Sequence, residues 1–151
     1  GNVLTRLDKL DRGEYGALVL AAAGLHRLGL ENRITRYFLP DELIPAAGQA
    51  ILAVQGREGE LADEVKKLDD ADAHDCALAE RSFVKTLGGG CFAPVAAYAE
   101  TEGDMLHLRG LYVTGDESRS ARGAVTGPRS EAASLGRTLA LQLQKQAEGT
   151  L

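Results

Sequence analysis

Tryptophan is missing from the 151 residues, methionine occurs once, and aromatics amount to only 5%. Burial must therefore come from Leu, Val, Ile and Ala, which suits helices packed on a small sheet. No run approaches the roughly 18 apolar residues that a membrane span needs. The opening GNVLTRLDKL has neither the charged nor the apolar segment of a secretion signal, and its lack of an initiator Met points to a processed, truncated or incompletely recorded chain. Cysteine is scarce: Cys76 and Cys91 allow at most one bridge, and no CxxC or Cys/His cluster offers a zinc site. A reducing, cytoplasmic setting is the expectation. G-x-S-x-G, H-E-x-x-H, Walker and G-x-G-x-x-G patterns are absent, and His26, His74 and His107 share no metal spacing. The acid run 58–75 lacks the D-x-D-x-D-G order of a calcium loop and reads as a solvated helical face.

What is present is a hydrophobic content of 44% and a net charge of −5 that is unevenly spread. Residues 1–40 hold six Arg/Lys against four Asp/Glu, residues 41–80 three against eleven, and residues 81–151 eight against seven. An acidic total disfavours nucleic acid as a partner, whereas arginines clustered near the start suit a small anionic ligand. The length fits one ordinary domain or two small ones.

Hydrophobic spacing predicts a short helix over Thr5 to Leu10, stopped by the DRG at 11–13. The apolar run Tyr15 to Gly24 predicts a strand centred on Leu18-Val19-Leu20 and buried on both faces, with a short helix through LHRLGLENR behind it, together an α/β unit. Beyond Pro40 and Pro45, Gln49 to Arg57 reads as another strand. Two helical stripes follow: Leu61, Val65 and Leu68, then Cys76, Ala79, Phe83 and Leu87 over about 73–87, closed by Gly88-Gly89-Gly90. VAAYAETEG, DMLHLRGLYVTG and SRSARGAVTG, parted by the turn signals EGD and GDES, predict a three-stranded antiparallel meander. Pro128 and Arg129 open a last helix with the stripe Ala132, Leu135, Leu139 and Leu143. The second half is thus an α+β domain.

Candidate chemistry rests on few residues. Cys91 follows three glycines, which leave room for a bulky group to approach the thiol, although a position past a helix C-terminus raises a thiol pKa rather than lowering it. From composition alone, a Gly-rich connector that contains a small buried cysteine is the favoured reading. Cys76 lies on an apolar stripe and belongs to the core. Arg6 falls in the first turn of its helix, where a cation is unfavourable unless an anion joins it, and Arg27 follows the expected strand at a ligand-facing position. Arg12, Arg33 and Arg36 stand behind them, with solvated surface positions as the alternative for each.

Three segments carry a resemblance. GNVLTRLDKLDRGEYGALVLAAAGLHRLGL is similar to the R-G-N-x-x-T-R-L-x-K-L segment and following A-x-A-G-L-x-R-L-G of the porphobilinogen deaminase (hydroxymethylbilane synthase) family. IPAAGQAILAVQGR resembles its L-P-A-V-G-Q-G-A-L-G-I-E-x-R, and ALAERSFVKTLGGGCFAPVAAYAE its A-x-A-E-R-x-F-L-x-x-L-x-G-G-C-x-x-P-V-x-x-x-A. The order and separations match, and the likeness spans nearly the whole chain.

The resemblance implies a transferase that links four porphobilinogen units into hydroxymethylbilane, a tetrapyrrole (haem) precursor, on a dipyrromethane cofactor held by a thioether. By motif that cysteine is Cys91. Arg6 and Arg27 match arginines that bind the carboxylates of cofactor and substrate, Gly1 and Ala21 match backbone positions of the same pocket, and Gln49 lies in the hinge segment. The catalytic carboxylate of the family belongs to its first domain, upstream of Gly1, so no catalytic residue is expected in this chain, which alone is expected to be inactive. The implied organisation is a partial second domain over 1–45, resembling half of a periplasmic-binding-protein-like unit, then a hinge and returning strand over 46–57, then a C-terminal α+β domain over 58–151. The parent is expected to be a monomer, and an unpaired strand edge here invites self-association. A non-enzymatic binding module that retains the scaffold is the alternative. Two departures stand out: the family's G-Q-G-A is Gly48-Gln49-Ala50-Ile51, with less backbone freedom at Ala50, and its G-I-E-x-R is Ala53-Val54-Gln55-Gly56-Arg57.

Overall fold

The computed structural model describes residues 2–57, 59–60, 62–88 and 94–149. The chain divides into two compact units, Gly1–Leu39 and Pro40–Leu151.

In the first unit, α1 (Val3–Asp11) starts where the Asn2 side chain accepts a hydrogen bond from the Thr5 amide at 2.9 Å, as a helix N-cap should. It stops at DRG as predicted, with Gly13 at φ +76°. Helix α2 (Ala22–Arg27) ends in a Schellman turn: Gly29, at φ +66°, donates to the His26 carbonyl and Leu30 to that of Leu25. A 3₁₀ turn, Glu31–Arg33, follows, and Arg33 pairs with Asp11 at 2.5 Å. Leu7 and Leu25 are buried. The predicted strand is not formed. Leu18-Val19-Leu20 has no regular structure and Val19 is 67% exposed. A strand buried on both faces needs neighbours to take its backbone hydrogen bonds, and among the described residues none pairs with it. Residues 51–57, also expected as strand, are likewise irregular, with Leu52 84% exposed.

In the second unit the expected α+β architecture is present. Helices α3 (Ala62–Lys66) and α4 (Ala71–Thr86) precede strands β1 (Val95–Glu102), β2 (Met105–Val113) and β3 (Ser120–Pro128), and a 3₁₀ turn leads into α5 (Ala132–Glu148). The sheet is antiparallel in the order β1-β2-β3, with Ala97 opposite Gly110 and Gly110 opposite Gly123. Period-two alternation puts Ala97, Ala99, Leu106, Leu108 and Ala121 on one face, where α4 and α5 cover them. Phe83, Leu106, Leu108, Leu139 and Leu143 are its largest fully buried side chains. The two helices touch at Gly136, where a Cβ would lie 2.2 Å from the Ala79 carbonyl oxygen. Asp70 caps α4 by accepting from the amides of Asp72 and Ala73, and Arg129 ties that end down through Asp72 (2.7 Å) and Asp75 (2.6 Å).

The other face of the sheet receives the start of the unit. Arg109 pairs with Glu100 (2.7 Å) and Asp41 (2.6 Å), and Arg122 donates to the carbonyls of Pro40 and Asp41. Ile44 is buried, and the Pro45 carbonyl accepts from the Ala97 amide at the free edge of β1.

Candidate functional site

Arg6 lies on α1 and Arg27 is the last residue of α2, so both belong to the first unit, where Val3 and Gly24 bring the two helices into contact. Both arginines are exposed. Their neighbours are spoken for: Arg12 pairs with Asp8 and Glu14 at 3.1 Å each, Arg33 pairs with Asp11, and the Arg36 guanidinium lies 5.0 Å from the Phe38 ring centre. Neither Arg6 nor Arg27 has a carboxylate partner among the described residues. Two unpaired guanidinium groups, each with a planar donor fork, suit carboxylate ligands. Ala21, the residue before α2, is exposed, and its carbonyl takes the Gly24 amide at 3.1 Å. Gly1 lies outside the described residues.

Cys91 also lies outside the described residues. The helix that leads to it is as expected: α4 ends at Thr86, Leu87 caps it, and Gly88 takes φ +67°. Cys76 is buried on α4, as expected. Burial, reinforced by the carboxylates of Glu80, Asp72 and Asp75, pushes its thiol up to about 11. At neutral pH it is protonated and a poor nucleophile.

One polar residue escaped the sequence reading. Glu80 is 3% exposed and uses both carboxylate oxygens: Oε1 accepts from the Ala99 amide at 2.8 Å and Oε2 from the Gly48 amide at 2.6 Å. Burial outweighs these two donors and pushes its pKa above the ordinary value. The available signal was a carboxylate beside Ala79 on the buried stripe of a helix. Among the described residues, no group of three or more His, Cys, Asp or Glu can hold a metal, and no helix is long and apolar enough to cross a membrane. Among the described residues, a hollow of about 540 Å³ lies beside Leu52, Val65 and Asp69 and another of about 1140 Å³ beside Leu78, Ser82 and Arg137, and no predicted site residue lines either of them.

These features define a two-unit protein with two exposed arginines that lack carboxylate partners among the described residues of one unit and, on the other, a helix-covered antiparallel meander whose first long helix feeds a Gly-rich cysteine segment. Two family models match it in succession: residues 1–66 match "Porphobilinogen deaminase, dipyromethane cofactor binding domain", and residues 74–145 match "Porphobilinogen deaminase, C-terminal domain". The chain belongs to the porphobilinogen deaminase family. It is 50% identical over 149 residues to the porphobilinogen deaminase of Alkaliphilus oremlandii, 48% over 148 to that of Acetivibrio thermocellus, and 45% over 153 to that of Coxiella burnetii. These alignments cover 98%, 98% and 100% of this chain but 50% of each relative, so the chain spans about half the length of the curated relatives it matches.

Proposed function

We propose that this chain is the C-terminal part of a porphobilinogen deaminase, a cytoplasmic transferase that joins four porphobilinogen units into hydroxymethylbilane, with Cys91 as the attachment point of dipyrromethane. The observation that carries the reading is the pair Arg6 and Arg27, exposed and without carboxylate partners among the described residues, in the part matched by the cofactor-binding model. The protonated, buried Cys76 supports Cys91 as the tether. When bound, the dipyrromethane supplies the anchor on which the pyrrole chain is held. This chain's own contribution is positioning: the guanidinium groups neutralise and orient pyrrole carboxylates beside the Ala21 backbone. The acid that protonates the leaving amine comes from the upstream part of the protein, so this part alone is inactive.

Intact mass spectrometry tests the assignment after co-expression with the upstream half of a relative. A dipyrromethane-sized adduct is expected that disappears in Cys91→Ser and persists in Cys76→Ser. An unmodified mass would favour a binding module without the chemistry, and an adduct that survives Cys91→Ser would overturn Cys91 as the attachment point. Arg27→Ala is expected to weaken retention of the carboxylate ligand by about 2 kcal/mol, roughly thirtyfold.

A further inference from the structure

Glu80 stands apart from the chemistry proposed above. It is a buried carboxylate on α4 with one oxygen on the amide of Gly48, in the turn after Pro45, and the other on the amide of Ala99, at the outer edge of β1. The edge of β1 explains the second contact. The Ala97 amide is taken by the Pro45 carbonyl, and two residues along, where the next outward amide needs an acceptor, the Glu80 carboxylate takes the place of a paired strand. The first contact holds the turn itself, whose neighbouring residues Gly48 and Ala50 have left-handed backbones, φ +74° and +69°.

Two amide donors from segments 51 positions apart in sequence thus converge on one side chain. Both partners donate, so the side chain must offer two acceptors. Ionised Glu does, whereas Gln offers one acceptor and turns its NH₂ against the other amide. A carboxylate also brings a desolvation cost that a packed apolar residue would avoid, so stability alone does not explain it.

We propose that Glu80 is a latch: its carboxylate locks residues 45–49 to the edge of β1 and to α4, so that this connector moves as part of the sheet unit. Arg109 and Arg122, which hold Asp41 and Pro40, secure the other end. The latch does not depend on any reaction at Cys91.

Amide hydrogen exchange on the full chain tests it. In Glu80→Met, which keeps the side-chain length but removes both acceptors, exchange at Gly48 and Ala99 should rise by about tenfold together, while Leu108 and Leu139 change by less than about twofold. A general packing role would instead raise exchange across α4, α5 and the sheet, and that pattern, or unchanged protection at either amide, overturns the proposal. Should the variant fail to fold, the wild-type chain carries the test. In native-state exchange with low denaturant, the Gly48 and Ala99 amides should open in a single event of equal free energy, and separate opening events overturn the latch.

Discussion

Ala50 shows how one side chain can be worse than none. Its φ of +69° is a left-handed conformation in which an L residue is disfavoured by roughly 1–2 kcal/mol, and the family's motif carries glycine at the matching place. The lost backbone freedom read from the motif departure is thus a conformational penalty at a defined residue. Ala50→Gly should stabilise the chain by about 1 kcal/mol, once the larger unfolded-state entropy of glycine is deducted, and thermal unfolding should show a midpoint a few degrees higher. Legibility at this scale was uneven. Cys76 is in the core, where its apolar stripe put it, whereas Arg6 and Arg27 are exposed and the strand expected ahead of Arg27 is not formed. Glu80 was not foreseen, because its role lies in two backbone amides that sequence proximity does not bring near it.

Among the elements, those that satisfy their own needs were readable. Helix α4 carries its cap at Asp70 and its stop at Gly88, α5 carries its apolar stripe, and the meander carries its turns, so local pattern and final structure agree. The strands expected at Leu18-Val19-Leu20 and 49–57 failed for the opposite reason: an apolar, β-prone run becomes a strand only when another strand accepts its hydrogen bonds. The α/β half-unit is accordingly reduced here to α1, α2 and a 3₁₀ turn. Helix packing gives the sharpest prediction at this scale. Gly136→Ala places a methyl against the Ala79 carbonyl and forces α4 and α5 apart, so a loss of about 3 kcal/mol is expected, read as a midpoint lower by about 10 °C. Gly115→Ala, with nothing within 4 Å of the added carbon, is the neutral control.

For the whole molecule, the determining facts are the half-length match to its relatives and the apolar side chains left in solvent. Val19, Leu52 and Val54 are all more than half exposed on segments without regular structure. Exposed β-prone segments recruit partners. Sedimentation velocity should show concentration-dependent association of this chain, reversed when the upstream half of a relative is added; a monomer at all concentrations would refute this expectation. The connector at the start of the second unit also governs how that unit bears load. Tension arriving at Pro40 is met first by Arg122 on the carbonyls, then by the Asp41–Arg109 pair, then by the Pro45 carbonyl on Ala97 and the Glu80 carboxylate on Gly48. The pull is thus shared as shear among successive polar contacts along the rim of the sheet, and it enters α4 through the Glu80 carboxylate.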